Sequence, residues 1–395
     1  MSDDDEHAED YVEIEPGTLI RDVWTVVREL GRGAYGHVYH VLNLKTGVQA
    51  AMKAESKSQA DRVLKMERNV LQGFRGVKGT LQLISMGTTE TYSYIIMTLC
   101  GADLDRLRKA AGTLTDGTIL RSAIRTLLSL KQLHEIGFVH RDVKPCNFAV
   151  SVSSPRVIHV LDFGMTRKYA IKNDKSEWFI KRKRTRVAFR GSLRYCSLSV
   201  HHRNEQGRVD DLWSWAYMTI EMRDPLPWAR VNHPEAVLGL KEDTPLEKLC
   251  GSSGTSRIFL PILKQFEKLD YFDRPDYKAI FDLILAEITK LKINIMDPYD
   301  WDGKVSDSDA LEKLNEACER NGVKFDDLPK PEHHSEPTEA SELAYLRCEF
   351  SPTSTDVPGG IQYEEKKRSN RQNNHGNHRV EDVTNTINAD VVQQR

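Results

Sequence analysis

An eight-residue block near the middle of the chain combines side chains that could carry out phosphoryl transfer. It reads His140-Arg141-Asp142-Val143-Lys144-Pro145-Cys146-Asn147 and holds a carboxylate, a lysine and an amide on one short loop. Asp142 could accept or orient the proton of a substrate hydroxyl, and Lys144 could offset charge on the γ-phosphate. Asn147 could ligate a metal ion. A polar turn between a helix and a strand is the competing interpretation.

Two more segments could supply charges that phosphoryl transfer needs. Val160-Leu161-Asp162-Phe163-Gly164 contains a carboxylate that would hold Mg²⁺ across the β- and γ-phosphates. Ala51-Met52-Lys53 ends an apolar strand with an inward lysine, which is costly unless it is paired. Glu67 lies on the helix that follows and is the candidate partner. A solvated surface lysine is the alternative.

A glycine-rich segment precedes these groups, and its spacing alone is ambiguous. Gly31-Arg32-Gly33-Ala34-Tyr35-Gly36-His37-Val38 has the pattern G-x-G-x-x-G-x-V, in which glycines allow close approach of the backbone to phosphates. Dinucleotide-binding folds use similar spacing, but there the glycines open a helix. Here Val38-Tyr39-His40-Val41 continues a strand, which favours a phosphate-covering hairpin. A purely structural turn stays open.

The apolar periodicity predicts a sheet-rich part followed by a helical part. Residues 19–98 read as five strands with one helix, which falls within 58–71. From residue 101 to 295 the pattern is mostly helical, and 213–222 reads as a helix buried on most sides. The two parts together predict one large bilobal domain over residues 19–295.

The two ends of the chain have different compositions. Residues 1–18 read as a solvated acidic tail, and 296–328 as an extension with one short helix that begins near Ser306. Residues 329–395 are rich in Pro, Ser, Asn, Gln and charge, which predicts a disordered polar tail. In that tail Lys366-Lys367-Arg368 could be a contact or localisation element, or have no function.

Composition narrows the class of protein. A formal net charge of −2 does not favour binding to nucleic acid or to an acidic membrane. The cysteines are scattered without a C-x-x-C pair, and no signal peptide or membrane-length apolar run is visible, so reduced thiols are expected. We therefore expect a soluble cytoplasmic protein, with a nuclear location also open.

Two polar clusters have alternative interpretations. The basic run 181–186 could be a solvated loop, a nuclear-import or nucleic-acid patch, or part of a site for acidic substrates. The interleaved aromatic residues typical of nucleic-acid surfaces are missing, which disfavours that alternative. His201-His202 lacks further ligands at suitable spacing, so a polar turn is expected in place of a metal site.

From Trp24 to Leu291 the chain resembles the casein kinase 1 superfamily, and more closely its tau-tubulin kinase branch. Cys196-Ser197-Leu198-Ser199 stands where most protein kinases have an A-P-E triplet and is similar to the S-I-N of this superfamily. The other matching blocks are Val63–Glu67, Asn147–Ala149, Phe189–Tyr195, Asp210–Ser214, Leu226–Trp228, Leu269–Phe272 and Pro275–Tyr277.

The resemblance implies an α+β bilobal protein kinase fold that binds ATP and Mg²⁺ and phosphorylates serine or threonine. Lys144, two residues after Asp142, favours those acceptors over tyrosine by analogy. Asp211 would anchor the backbone of the catalytic loop. The residues implied for catalysis are Asp142, Lys144, Asn147, Lys53 and Glu67; for ATP binding Leu30, Gly31, Gly33, Gly36, Val38, Lys53, Met97 and Leu99; and for the metal Asn147 and Asp162.

The resemblance also implies acidic or pre-phosphorylated protein substrates and a monomeric kinase domain, with no nucleic-acid or membrane partner. Arg194 occupies the matching arginine position of an anion site, and Lys241 is its candidate partner. Ser192, Leu193 and Cys146 depart from the family pattern on the substrate side. Substrate preference therefore follows less directly than the reaction.

Two functions of other classes stay open at this point. One is a scaffold that uses the fold for binding only, which the intact Lys53, Asp142 and Asp162 oppose. The other is a dinucleotide-binding enzyme, which the block His140–Asn147 opposes. An active serine/threonine kinase is the function that the motifs favour.

Overall fold

The computed structural model describes residues 12–33, 36–57, 62–251, 254–306, 308–330 and 337–360. Its first lobe is a six-stranded antiparallel sheet in the order β1-β2-β3-β4-β6-β5, with one helix against it. The elements are β1 (Leu19–Ile20), β2 (Trp24–Gly33), β3 (Gly36–Asn43), β4 (Gln49–Ser56), α1 (Arg62–Gly73), β5 (Leu83–Thr88) and β6 (Tyr92–Thr98). The short β1 is the strand that the sequence pattern missed.

The second lobe is mainly helical, so the predicted α+β bilobal architecture is confirmed. Its first elements are β7 (Cys100–Asp103), α2 (Leu104–Ala111), α3 (Asp116–Glu135), β8 (Phe138–Val139), β9 (Phe148–Ser151), β10 (Ile158–Val160), β11 (Arg167–Lys168), β12 (Ala170–Lys172) and β13 (Trp178–Ile180). The helices that follow are α4 (Leu198–His201), α5 (Arg208–Glu221), α6 (Pro234–Asp243), α7 (Leu246–Leu249), α8 (Phe259–Phe266), α9 (Tyr277–Lys290), α10 (Ala310–Glu319) and α11 (Glu339–Phe350). No helix of the described ranges is long and apolar enough to cross a membrane.

Two buried helices form the centre of the large lobe. The helix α3 begins at the N-cap Thr115, whose hydroxyl accepts a hydrogen bond from the backbone of Thr118. The helix α5 crosses it, and the indole of Trp215 donates to the carbonyl of Ala123 at 3.2 Å. The helix α5 is buried on most sides, so its first turn, which carries Asp211, has a fixed position next to the catalytic loop His140–Asn147.

The extension after the large lobe returns to the small lobe. The helix predicted after Ser306 is present as α10, and its buried face packs Leu314 and Cys318 against Val27 of β2. The side chain of Asn321 then donates to the carbonyl of Gly17 at 3.1 Å. The predicted helix is therefore a packed part of the small lobe.

The segment before β1 is attached to the small lobe, so within the predicted solvated tail over residues 1–18 the prediction is wrong for Ile14. Ile14 is buried, and its N–H donates to the Tyr39 hydroxyl at 3.1 Å. That hydroxyl in turn donates to the Val12 carbonyl at 2.7 Å. Residues 1–11 of the predicted tail lie outside the described residues.

The predicted disordered tail over residues 329–395 is wrong for 337–360. The helix α11 packs on the large lobe through Leu346, which is fully buried, and Phe350 stacks on Phe281 at 4.5 Å between ring centroids. A buried ion pair of 2.6 Å joins Arg125 to Glu342. Residues 331–336 and 361–395 lie outside the described ranges.

This packing makes a testable prediction for Phe350→Ala. Phe350 is 1% exposed, so truncation removes its buried surface and leaves a cavity, at a cost of about 3–5 kcal/mol in the free energy of unfolding. Urea unfolding of the full chain measures the change. Leu311→Ala is the control, because Leu311 is 60% exposed and should change stability by less than about 0.5 kcal/mol. Equal stability of the two variants would contradict the docking of α11.

Candidate active site

The catalytic loop, residues 140–147, lies between β8 and β9, and the carboxylate of Asp211 binds its backbone. Asp211 accepts the backbone N–H of His140 at 2.6 Å and that of Arg141 at 2.8 Å. Arg141 has a φ of 70°, an uncommon conformation for a residue other than glycine. The two hydrogen bonds stabilise this conformation and fix the direction in which the loop continues to Asp142.

A buried series of side-chain hydrogen bonds fixes the position of Asp211 itself. Its Oδ2 lies 2.9 Å from His134 Nε2, and His134 Nδ1 lies 2.6 Å from the hydroxyl of Tyr277. Burial raises the pKa of Asp211, but the hydrogen bond from His134 and the nearby backbone donors lower that pKa more. The net pKa lies below its ordinary value, so the carboxylate stays ionised and able to accept both loop N–H groups. His134 gave no signal in the sequence, and Tyr277 appeared there only at the end of a matching block.

Both carboxylate oxygens of Asp142 have partners that fix their position. Its Oδ2 lies 2.7 Å from Lys144 Nζ, and its Oδ1 accepts the hydroxyl of Ser192 at 2.7 Å. Burial lowers the pKa of Lys144, but the hydrogen bond to Asp142 raises it more, so the lysine stays charged. Ser192 appeared in the sequence only as a departure from the family pattern. The structure places its hydroxyl on the carboxylate expected to meet the substrate.

The side chain of Asn147 is oriented by the same loop. Its Nδ2 donates to the backbone carbonyl of Asp142 at 2.8 Å. Because the amide nitrogen is used there, the amide oxygen is the atom available to a metal ion. The imidazole of His140 stabilises the loop from the other side, where Nδ1 accepts the Asp142 N–H at 3.2 Å. The remaining nitrogen, Nε2, then carries the proton and donates to Leu161 O at 2.8 Å.

The lysine of β4 and the glutamate of α1 form the predicted ion pair. Lys53 Nζ lies 2.7 Å from Glu67 Oε1, and the two side chains are 13% and 4% exposed. Burial lowers the pKa of Lys53, but the charge and hydrogen bond of Glu67 raise it more, so the ammonium persists. Asp162 adds to this effect, which places its carboxylate near the same cation.

The segment that carries Asp162 joins the two lobes. Asp162 is exposed, has a φ of 59° and accepts the backbone N–H of Gly164 at 3.2 Å. The next side chain, Phe163, is 2% exposed. Its ring centroid lies 6.0 Å from that of Phe74, the residue that follows α1, and 6.2 Å from that of His140. Packing of Phe163 therefore links α1, and with it Glu67, to the catalytic loop.

The glycine-rich segment is a hairpin between β2 and β3 and does not open a helix. Gly31 pairs with Val38, and Gly33 with Gly36, which contradicts the dinucleotide-binding alternative. A Cβ on Gly36 would lie 2.2 Å from Ala54 O, so the close approach of β4 requires glycine there. Ala34 and Tyr35 at the tip lie outside the described residues.

The other residues implied for ATP binding lie on strands of the sheet that carries Lys53 and at the link between the two lobes. Leu30 is 38% exposed on β2, just before the hairpin glycines. Met97 on β6 pairs with Ala51 of β4, two residues before Lys53. Leu99 is the single residue that joins β6 to β7 and therefore links the small lobe to the large one.

Several arginines that the sequence did not predict as a group lie near Arg141, and two of them pair with one buried carboxylate. Glu205 is 1% exposed; it pairs with Arg184 and lies 3.2 Å from Arg167. Burial lowers the pKa of Arg141 to about 10, and the positive charges of Arg190, Arg167 and Arg184 contribute to that shift. We call these four arginines the arginine cluster. The basic run 181–186 thus contributes Arg184 to the cluster.

The structure contradicts the assignment of Lys241 to an anion site. Lys241 is 5% exposed and donates to the carbonyls of Leu193 and Cys196 at 2.8 and 2.6 Å. Its proposed partner Arg194 is 41% exposed in its side chain, but donates to Glu221 at 3.4 Å and to the Ala229 carbonyl at 2.6 Å. The sequence could not show that these cations already have internal acceptors.

His201 and His202 each contact another side chain of the protein. His202 lies 3.3 Å from Glu242, and the ring of His201 packs on Phe189. Among the residues that the structure describes, no group of three or more His, Cys, Asp or Glu side chains could hold a metal ion.

Comparison with known proteins identifies the family. A family model described as the protein kinase domain matches residues 24–274, well over half of the chain. The chain belongs to the protein kinase family. The match begins at β2 and ends just before α9, so it includes the hairpin, the ion pair and the catalytic loop of this kinase.

Three relatives from Caenorhabditis elegans indicate the branch. A putative serine/threonine-protein kinase is 36% identical over 295 residues, which cover 73% of this kinase and 84% of that protein. A putative casein kinase I is 29% identical over 300 residues, covering 73% and 86%. The inactive tau-tubulin kinase ttbk-6 is 32% identical over 233 residues, covering 56% and 79%. This chain is therefore a serine/threonine protein kinase similar to the casein kinase 1 and tau-tubulin kinase groups.

Proposed function

We propose that the kinase transfers the γ-phosphoryl group of ATP, with Mg²⁺, to serine or threonine in acidic or pre-phosphorylated proteins, as a casein kinase 1-like enzyme. The reaction is supported by the joint placement of Lys53, Glu67, Asp142, Asn147 and Asp162. The substrate preference is supported by a separate observation, the arginine cluster beside the catalytic loop.

Residues of this chain can accept or orient the proton of the substrate hydroxyl and can offset the negative charge of the phosphates. A substrate hydroxyl beside Asp142 could pass its proton to, or be oriented by, the carboxylate that Lys144 and Ser192 hold in place. Lys53, kept charged by Glu67, would bind the α- and β-phosphates. Phosphoryl transfer needs little covalent chemistry from the protein, so such positioning and charge neutralisation provide most of the rate.

The donor set at the cleft fits Mg²⁺. The carboxylate of the exposed Asp162 and the amide oxygen of Asn147 are oxygen ligands of the kind that this ion prefers. When bound, the ion would neutralise charge on the β- and γ-phosphates. Removal of divalent cations with EDTA should abolish peptide phosphorylation, and added Mg²⁺ should restore it.

The arginine cluster provides the basis for an acidic preference. Two of its members, Arg167 and Arg184, pair with Glu205, and the positive charges of Arg190, Arg167 and Arg184 act on Arg141, the residue before Asp142. Positive charge is therefore concentrated next to Asp142. Guanidinium groups bind carboxylates and phosphates with directional, charge-assisted hydrogen bonds. Arg184 and Arg190 are both exposed, but Arg184 is already paired with Glu205, so Arg190 is the member whose side chain can meet a substrate directly.

Replacement of Arg190 by glutamate tests this preference. We expect kcat/KM for an acidic serine peptide to fall roughly tenfold, because one charge-assisted contact is lost, while a neutral peptide changes little. Arg75→Glu, at an exposed position of the small lobe, is the charge-matched control. Added salt should reduce the preference of the wild type. Equal losses on both peptides, or no loss on the acidic one, would count against the arginine cluster as the substrate site.

A further inference from the structure

The loop Ser192–Cys196 connects the catalytic carboxylate to the body of the large lobe. At its start Ser192 donates to Asp142 at 2.7 Å. The preceding Gly191 lies so close to the catalytic loop that a Cβ there would be 2.6 Å from Arg141 O. Any shift of this loop would therefore move groups at the phospho-acceptor side of Asp142.

Side chains of the large lobe bind the carbonyls of this loop. Lys241 donates to Leu193 O at 2.8 Å and to Cys196 O at 2.6 Å. Between them, the carbonyl of Arg194 accepts the indole N–H of Trp228 at 2.7 Å. Lys241 thus donates two of these three hydrogen bonds to the loop carbonyls, and Trp228 donates the third.

Lys241 has no donor left for another ligand. An ammonium group has three N–H donors, and its third acceptor here is His201 Nε2 at 3.3 Å. Its Nζ also lies over the rings of Tyr217 and Trp228, at 5.4 and 5.3 Å from their centroids. These contacts compensate part of the cost of burying a charge.

Burying the charged ammonium group of Lys241 costs free energy by itself. This cost indicates that the function of its N–H donors is to bind the loop carbonyls. Desolvation lowers the pKa of Lys241 to about 8, and the neighbouring Cys196 only partly opposes the shift. An apolar side chain could fill such a site without that cost. A lysine at this position is explained by the two loop carbonyls, which would otherwise lack these donors.

We infer that Lys241 is a positioning residue that fixes the loop Ser192–Cys196 and thereby sets the binding of the acceptor peptide beside Asp142. It does so through neutral carbonyl oxygens and not through the phosphate or carboxylate of a substrate. The inference rests on the proposed phosphorylation of proteins, since it concerns the site of the acceptor.

Lys241→Met and Lys241→Arg, made in the full chain, test this inference. We expect Lys241→Met to raise the KM for a serine peptide roughly tenfold, by the same factor for acidic and neutral peptides, and to leave the KM for ATP within twofold. Lys241→Arg keeps donors and should recover part of the loss. Lys248→Met, at an exposed position of α7, is the control and should change neither constant.

Other results would overturn the inference. A loss confined to the acidic peptide would restore Lys241 to an anion site, and an equal rise in the KM for ATP would show that the effect of Lys241 is not specific to the acceptor side. Should Lys241→Met not fold, Trp228→Phe removes one donor from the same loop and should raise the peptide KM about threefold; an unchanged KM would refute the account. Failure of the wild type itself to phosphorylate any peptide would instead refute the proposed function.

Discussion

Asp142→Asn should lower kcat for peptide phosphorylation by about 10³-fold, within the range that a positioned proton acceptor contributes. The carboxylate is already directed by Lys144 at 2.7 Å and by Ser192 at 2.7 Å, so no rearrangement is needed before a hydroxyl can meet it. An amide has nearly the same shape but cannot accept the proton. The KM for ATP should change little, because Asp142 does not contact the residues implied for nucleotide binding.

Asp282→Asn is the control for Asp142→Asn. It changes a carboxylate that is 50% exposed on α9 and should leave kcat unchanged. Thermal unfolding of both variants verifies that the fold is intact. A kcat for Asp142→Asn within threefold of the wild type would show that Asp142 neither accepts nor orients the substrate proton.

Lys53→Met should lower kcat/KM by about 10²–10³-fold, the usual effect of removing one charge that stabilises a developing negative charge. It should also destabilise the fold, because Glu67 would remain 4% exposed without its partner 2.7 Å away. Breaking a buried ion pair in this way typically costs about 3–5 kcal/mol. Urea unfolding and steady-state kinetics measure the two effects separately.

A double variant separates the structural contribution of this pair from the catalytic one. In Lys53→Met with Glu67→Gln the buried charge is absent, so a large part of the lost stability should return. Activity should not return, since no cation faces the phosphates. If the double variant regained activity together with stability, Lys53 would act only through folding, and its assignment to ATP would be wrong.

The parts of the site that the sequence predicts correctly are encoded in short segments. The block His140–Asn147 has its donors and acceptors within eight residues, and Lys53 and Glu67 lie on adjacent elements joined by a short connection. In these cases local spacing limits the geometry strongly. Residue type and spacing were therefore sufficient to predict which side chains meet.

The errors concern residues whose partners are remote in the chain. Lys241 was expected to be part of an anion site, but its acceptors lie 45 and 48 residues earlier, in the loop Ser192–Cys196. The helix α11 was missed because its apolar residues are spread around the helix and do not line one face, and its ion pair from Glu342 reaches Arg125 across 217 residues. No periodicity within either segment reports such partners.

Other contributors gave no sequence signal at all. Glu205 lies in an unremarkable polar stretch, yet it is the buried carboxylate that faces the arginine cluster. His134 ends an amphipathic helix, and only the fold brings it to 2.9 Å from Asp211. Their functions depend on tertiary packing, so they could be identified only from the structure.

The central claim is that this chain has an assembled site that transfers phosphate from ATP to serine or threonine. The most direct test incubates the full chain and Asp142→Asn with Mg²⁺, ATP labelled on its γ-phosphate and an acidic peptide that contains serine and threonine. Phosphoamino-acid analysis then identifies the acceptor. We predict labelled phosphoserine or phosphothreonine from the wild type, reduced about 10³-fold in the variant. Wild-type protein that binds ATP but labels the peptide no more than Asp142→Asn would contradict the claim.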